Sequence, residues 1–136
     1  MSRDPEGTVV TFYSYKGATG RTMALANVAW ILAANGRRVL TVDWDLDSPG
    51  LHRFYHPFLP PSAVQSAGGV IDLIVDYAWQ VHQNRADRPA EWHRRAAGGV
   101  RHTIAVDWPF PRGGGLDFLP ARRQNRGYAP ALAPRR

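Results

Sequence analysis

The sequence between Thr8 and Asp43 predicts four elements in direct succession: a strand, a glycine-containing turn, a helix and a second strand. This succession constrains the fold most strongly. Residues 8–13, TVVTFY, are β-branched and aromatic, as is typical of a buried parallel strand. Residues 22–34 lack glycine and proline and are followed by Asn-Gly, a common helix stop. Residues 37–43, RRVLTVD, have the pattern of another short strand. Together they predict a βαβ unit with two parallel strands and a right-handed crossover.

The chain that follows this unit has weaker periodicity. Residues 48–62 contain four prolines and are predicted as a loop with at most one turn of helix, in a loop-rich region that extends to residue 68. Residues 68–83 place apolar side chains at helical spacing, which predicts an amphipathic helix.

One helix and two strands are predicted in the last third of the chain. Asp87 is expected to cap a short helix within residues 88–97. Strands are predicted within residues 100–108 and, with a clearer pattern, within residues 113–120. The tail that follows contains several helix and strand breakers, and no regular element is expected there.

The composition limits the class of protein. At 136 residues, with 44% apolar residues, the chain has room for one domain with a core. It has no cysteine, which excludes disulfides and zinc–thiolate sites. No apolar stretch approaches the roughly 20 residues that cross a bilayer, and the first residues lack the apolar region of a secretion signal. We therefore expect a cytoplasmic protein with no membrane span.

The charge is strongly basic but not clustered. A net charge of +6 would suit nucleic acid, yet the arginines are scattered singly and in pairs, so a nucleic-acid partner is not favoured. Lys16 is the one lysine among 17 basic residues. It lies in the turn between the first predicted strand and the helix.

That turn has the composition of a phosphate-binding loop. A standard loop reads GxxxxGK[ST]; Gly20 and Thr22 match its end, whereas Arg21 stands in the lysine position. Gly17 and Gly20 allow backbone N–H groups to turn toward an anion, and the positive end of the helix points to the same place. The Thr22 hydroxyl suits Mg²⁺, and the Arg21 guanidinium suits phosphate oxygens.

Three aspartates follow the second predicted strand, at Asp43, Asp45 and Asp47. In open α/β sheets, ligands bind at the carboxyl ends of the strands, where these side chains are expected. Carboxylates there can hold waters on Mg²⁺ or orient an attacking water. Asp47 is also compatible with a plain solvated turn residue.

Residues 16–22, KGATGRT, resemble the deviant Walker A motif, KGGxGK[ST], of the ParA/MinD-type (SIMIBI) P-loop ATPases, and most closely a bacterial variant with KGGxGR[ST]. The resemblance implies that the whole stretch binds ATP: Lys16, Gly17, Ala18, Thr19, Gly20, Arg21 and Thr22. It also implies that Lys16 is the signature lysine, which acts catalytically on the phosphates of a second subunit in a nucleotide-dependent homodimer. Ala18 and Arg21 depart from the commonest motif, and these changes are compatible with nucleotide binding and slow hydrolysis.

The acidic turn resembles the DxD switch segment of the same family. By that match, Asp43 lies near Mg²⁺ together with Thr22, and Asp45 orients the nucleophilic water. The segments SPGLHRFY and LPARRQ are also similar to the variant subfamily, although the second lacks a glycine that the subfamily has. His52, within the first of them, is interpreted as a structural or surface residue in preference to a catalytic base.

The resemblance implies an α/β fold of the three-layer α/β/α P-loop NTPase type, with a mostly parallel sheet. Residues 1–136 would be the N-terminal part of a single ATPase domain, because the family's Walker B strand and base-recognition segments have no counterpart in the sequence. The fold is therefore expected to be incomplete at its C-terminus. Residues 8–13 are expected to lack a neighbouring strand on one side.

The function implied by the resemblance is ATP binding with Mg²⁺, and ATP hydrolysis by the intact protein as a nucleotide-dependent dimer switch with protein partners. The 136-residue chain alone is expected to be inactive. Two alternatives stay open: a non-catalytic nucleotide-sensing or scaffold module, and a DNA-associated partition-type ATPase. A related bacterial tyrosine kinase would have a tyrosine-rich tail, where this chain has Tyr128 alone. A dinucleotide-binding domain is excluded because GxGxxG is absent from the first turn.

Overall fold

The computed structural model describes residues 7–17, 19–82 and 102–123. Within them lie four α-helices and three strands, with single 3₁₀ turns at His56–Phe58 and Pro111–Gly113: α1 Arg21–Ala34, β1 Arg38–Val42, α2 Leu51–Tyr55, α3 Pro61–Ser66, α4 Val70–His82, β2 Ile104–Ala105 and β3 Gly115–Leu119. The predictions for Ala18, for the helix within 88–97 and for the tail after residue 123 fall outside the described residues.

Helix α1 confirms the first predicted helix and extends it by one residue at its start. Its buried face is made of small side chains, Ala26, Ala29 and Ala33. Because these methyl groups occupy little space, the helix backbone can approach the sheet closely, and α1 contacts both β1 and β3. The helix ends as predicted at Asn-Gly, where Gly36 has the left-handed φ of 84° that glycine tolerates best.

The sheet has the order β1-β3-β2. Strands β1 and β3 are parallel, with Val39 opposite Leu116 and Thr41 opposite Phe118. Strand β2 pairs with β3 antiparallel, so the sheet is mixed and not mostly parallel as expected. The clearer of the two late strand predictions is confirmed by β3, and the weaker one shortens to the two residues of β2.

Residues 8–13 do not form the predicted strand. Val9 is 91% exposed and Tyr13 is 73% exposed, so the segment is not buried either. A strand pattern becomes a strand only where a neighbour completes its backbone hydrogen bonds, and no described segment pairs with residues 8–13. The predicted βαβ unit is therefore wrong for the described part of the chain, and its parallel pair is replaced by β1 and β3.

Residues 48–62 contain more helix than the predicted single turn. They form α2, a 3₁₀ turn and the start of α3. Pro57 and Pro61 lie in the first turns of the 3₁₀ turn and of α3, where the missing proline N–H leaves no helical hydrogen bond unmade. The prolines therefore begin helical segments that the prediction expected them to prevent.

The core lies between the sheet and the helices α1 and α2. Tyr55 of α2 stacks edge-on against Phe118 of β3, with ring centroids 5.5 Å apart, and both residues are almost fully buried. Trp30 of α1 adds a second aromatic cluster with Phe58 and Phe110, at 4.9 Å from each. The described residues thus form a mixed α/β fold with a small sheet.

Helix α4 confirms the helix predicted within 68–83 and is attached through its first turn. The N–H groups of Val70 and Ile71 donate to the carbonyls of Pro120 and Ala121, directly after β3. Farther along α4 most residues are exposed, and Trp79 is 68% exposed. None of the described helices is both long and apolar enough to cross a membrane.

The close approach of α1 to the turn before β3 gives a stability prediction. A Cβ at Gly114 would clash with the Ala33 carbonyl oxygen, whereas a Cβ at Gly115 would meet nothing within 4 Å. We expect Gly114→Ala to lower the free energy of unfolding by about 1–3 kcal/mol because the backbone must shift. Gly115→Ala is the matched control and should change it by less than about 0.5 kcal/mol. Urea denaturation of both variants measures the difference, and equal stabilities would contradict this packing.

Candidate phosphate-binding loop and acidic turn

The loop before α1 is held in a tight bend by two side-chain hydrogen bonds. The Ser14 hydroxyl donates to the Lys16 carbonyl at 2.8 Å, and the Thr19 hydroxyl donates to the Ser14 hydroxyl at 3.1 Å. Gly20 then takes the left-handed conformation, with φ 76° and ψ 8°, as the N-cap of α1. Of the two predicted loop glycines, Gly20 has the positive φ and Gly17 does not. These contacts place the two ends of the loop against each other.

The N-terminus of α1 lacks the side chains that usually accept hydrogen bonds from the first N–H groups of a helix or offset its dipole. Its N-cap forms no side-chain hydrogen bond, and its first turn has no acidic residue. The first bond of the helix runs from the Ala24 N–H to the Gly20 carbonyl at 2.8 Å. The N–H groups of Arg21, Thr22 and Met23 therefore have no acceptor within the helix, and the positive end of the helix dipole is not offset by an acidic side chain of its own first turn.

Lys16, Gly17 and Thr19, which are predicted to bind ATP, are exposed in this bend. A Cβ at Gly17 would meet nothing within 4 Å, so the space in front of this residue is open. Thr22 is partly buried at the start of α1. The structure thus brings Lys16 to Gly17 and Thr19 to Thr22 into one surface bend at the helix start.

An ion pair joins this bend to the acidic turn. Nη2 of Arg21 lies 3.0 Å from Oδ2 of Asp45, across 24 positions of sequence. The two side chains are 31% and 35% exposed. Two of the predicted site residues, one from each segment, are therefore in direct contact. The pairing itself was not predicted, although both neighbourhoods were.

Asp43 organises the backbone of the acidic turn. Its Oδ1 accepts the Asp45 N–H at 3.2 Å, and its Oδ2 accepts the N–H groups of Gly50 at 3.2 Å and Leu51 at 3.1 Å. The side chain is 6% exposed, and burial raises the pKa of the Asp43 carboxyl, against the opposing effect of these backbone hydrogen bonds. Asp43 thus fixes the start of α2 from the end of β1.

The oxygens of Asp43 limit how it could serve Mg²⁺. A carboxylate offers about four acceptor positions, and three N–H groups occupy positions on Asp43. The remaining capacity fits a water molecule in the shell of Mg²⁺, an ion that usually keeps several waters. Among the described residues no group of three or more acidic or histidine side chains could hold a metal ion. Further ligands would have to come from Thr22, from water and from phosphate.

His52, on α2, lies near this turn. Its Nδ1 is buried and has no hydrogen-bond partner among the described residues. Burial, followed by the charge of Arg53, lowers the pKa of His52 below its ordinary value of 6.5. A neutral imidazole that is partly enclosed fits the structural interpretation made from the sequence.

A shallow cavity lies away from the loop and was not predicted. It has a volume of about 290 Å³ and is lined by side chains of α1, α2 and the following 3₁₀ turn: Ala26, Asn27, Trp30, Phe54, Tyr55 and Phe58. None of the predicted site residues lines it. The spacing of Ala26 and Trp30 along α1 indicates one face of that helix, but the aromatic partners could be assigned only once α2 was known to be a helix.

No family model, no curated protein and no solved structure matches this chain.

The pKa of His52 predicts how stability depends on pH. The unfolded chain binds a proton at this side chain as the pH falls through 6.5, whereas the folded chain binds it only at lower pH. The contribution of His52 is therefore fully present above the unfolded value and is lost as the pH falls through the folded value. We expect the stability of the wild type, relative to His52→Gln, to decline as the pH falls through 6.5 and below. Urea denaturation across that range tests the sign, and a relative gain at low pH would contradict it.

Proposed function

We propose that residues 16–22 bind the phosphates of ATP with Mg²⁺, and that the intact protein acts as a ParA/MinD-like nucleotide-dependent dimer switch. The observation that carries the proposal is the Arg21–Asp45 contact at 3.0 Å, because it sets the acidic turn beside the loop at the start of α1. A phosphate site and its metal-supporting carboxylates must lie this close together to act on one nucleotide.

The phosphates would be held by backbone and side-chain donors at the start of α1. The N–H groups of Arg21, Thr22 and Met23 have no helical acceptor, and a 14-residue helix directs its positive end at the same place. The Arg21 guanidinium adds charge-assisted hydrogen bonds that can be bidentate. These features support anion binding at the bend and explain why a glycine in the left-handed conformation stands at residue 20.

Mg²⁺ would be held by the Thr22 hydroxyl, by phosphate oxygens and, through water, by Asp43. When bound, the ion offsets charge that develops on the phosphate oxygens. Asp43 is suited to a supporting role because its carboxylate is fixed by three backbone N–H groups and cannot swing freely. Its partly filled acceptor positions favour an indirect contact.

Lys16 is proposed to act on a second copy of the chain. Its side chain is exposed, and the residue lies in the loop that precedes α1. By the family resemblance, two copies would dock face to face across their nucleotides, and each Lys16 would reach the partner's phosphates. This would account for the retention of one lysine in a chain that otherwise uses arginine.

The three-layer fold is part of the same proposal. The Asp43 N–H donates to the Leu119 carbonyl and the Gly115 N–H to the Arg37 carbonyl, so Arg37 and Asp43 direct their backbone groups toward β3. In a strand the residues alternate, and the backbone groups of Arg38, Leu40 and Val42 therefore point to the other edge of β1, which no described strand covers. A further strand on that edge would extend the sheet toward the proposed three-layer fold. Leu40 is 56% exposed, and a second helical layer would cover it.

Nucleotide sensing without turnover is the second candidate. Both oxygens of Asp45 accept hydrogen bonds, Oδ2 from Arg21 and Oδ1 from the Ser48 N–H at 3.0 Å. Each oxygen of Asp45 is thus already engaged, which favours a structural role for this carboxylate over the orientation of an attacking water. Release of phosphate from ATP by the intact protein would favour the switch, and tight binding with no release would favour the sensor.

ATP binding by the 136-residue chain tests the proposal. We expect Arg21→Ala to weaken ATP binding at least about tenfold, since charge-assisted hydrogen bonds are lost. Arg37→Ala removes an equal charge at the far end of β1 and should leave the affinity unchanged. Calorimetric titration of ATP with Mg²⁺ measures the affinity of both arginine variants. Light scattering of the wild type and of Lys16→Ala with ATP reports whether this variant removes ATP-dependent dimers. Equal affinities for the two arginine variants, or no ATP binding by the wild type, would contradict the assignment.

A further inference from the structure

The Arg21 guanidinium is already bound to an anion of the chain itself. Oδ2 of Asp45 lies 3.0 Å from Nη2 of Arg21, where a phosphate oxygen would otherwise be received. Carboxylate and phosphate are both recognised by the planar donor fork of arginine. We propose that Asp45 is an internal competitor for the phosphates and forms a latch that opens when nucleotide binds. This inference rests on the proposed function of residues 16–22.

Opening the latch would change the acidic turn as well as the loop. The same carboxylate that holds Arg21 through Oδ2 accepts the Ser48 N–H through Oδ1 at 3.0 Å. If phosphate takes Arg21, Asp45 loses its only charged partner among the described contacts and can turn away, which releases the Ser48 N–H. Binding of phosphate at the loop would thereby change the backbone hydrogen bonding of residues 45–48.

The segment that would move, residues 45–48, is held in place on both sides. Asp43 follows β1 directly, and its N–H donates to the Leu119 carbonyl of β3. Its carboxylate holds the N–H groups of Gly50 and Leu51 independently of Arg21. The change should therefore stop at these residues, while α2 and the sheet keep their positions. A short segment between two fixed points can change between two arrangements without unfolding the domain.

The strength of the latch follows from its exposure. Each partner is about one third exposed, so the ion pair is screened by solvent, and a nucleotide with several phosphate charges can displace it. Removing the competitor should tighten binding by about two- to fivefold, which corresponds to roughly 0.4–1 kcal/mol, within the range of partly exposed ion pairs. The Asp45→Asn variant removes the charge while keeping an oxygen that can accept the Ser48 N–H.

The test is ATP binding by the 136-residue chain without Mg²⁺, so that no metal contact of Asp45 contributes. We expect Asp45→Asn to bind about two- to fivefold more tightly than Asp47→Asn, which removes an equal charge from the same turn without freeing Arg21. In an Arg21→Ala background, Asp45→Asn should give no advantage over Asp47→Asn. Asp45→Asn matching Asp47→Asn, or an advantage that persists without Arg21, would overturn the latch.

Hydrogen exchange on the wild type gives a second test that needs no variant to fold. Saturating ATP should speed exchange of the Ser48 amide and leave the Leu51 amide unchanged, and an unchanged Ser48 amide would overturn the latch. The two proposals fail differently. If the wild type does not bind ATP at all, the phosphate site and the latch both fall. If ATP binds and Arg21→Ala weakens it, but Asp45→Asn behaves as Asp47→Asn does, the phosphate site stands and the latch falls.

Discussion

The parallel pairing of β1 with β3 is the constraint on which the site depends. The ladder continues past β1, where the Asp43 N–H donates to the Leu119 carbonyl, and this fixes the backbone of the first aspartate at the carboxyl end of the sheet. The buried carboxylate of Asp43 then fixes the start of α2, and the turn between them carries Asp45 to Arg21. The alanine face of α1 lies against the same two strands, so one packing arrangement sets both the loop and the acidic turn.

Elements whose sequence pattern is complete in itself could be predicted. Helix α1 has thirteen predicted positions without glycine or proline and a glycine stop, and α4 has apolar residues at helical spacing. Residues 8–13 have an equally clear strand pattern, but a strand needs a neighbour, and the pattern says nothing about whether one is present. The helical content of residues 48–62 was underestimated for a different reason: the prolines were interpreted as breakers, whereas Pro57 and Pro61 stand where the 3₁₀ turn and α3 begin.

In the candidate site too, the sequence predicts which residues lie together but not which contacts they make. The sequence identifies the bend at 16–22 and the aspartates as one neighbourhood, because a glycine turn at a helix start and acids at a strand end lie at the same edge of an α/β sheet. It does not identify which oxygen each donor meets. Asp43 was predicted beside a metal and is occupied largely by backbone N–H groups, and Asp45 was predicted beside water and is held by Arg21. Both details depend on the path of residues 45–51, which local patterns leave open.

The central claim is that the amides at the start of α1, which have no acceptor within the helix, receive the phosphates of a nucleotide. Two-dimensional NMR of the ¹⁵N-labelled chain during titration with ATP tests this most directly, because each backbone amide is observed separately. The account predicts that the largest shifts fall on Gly17, Gly20, Arg21, Thr22 and Met23, with smaller ones across the turn at Asp45. Shifts confined to Trp30 and the cavity between α1 and α2, or no shifts at millimolar ATP, would contradict it.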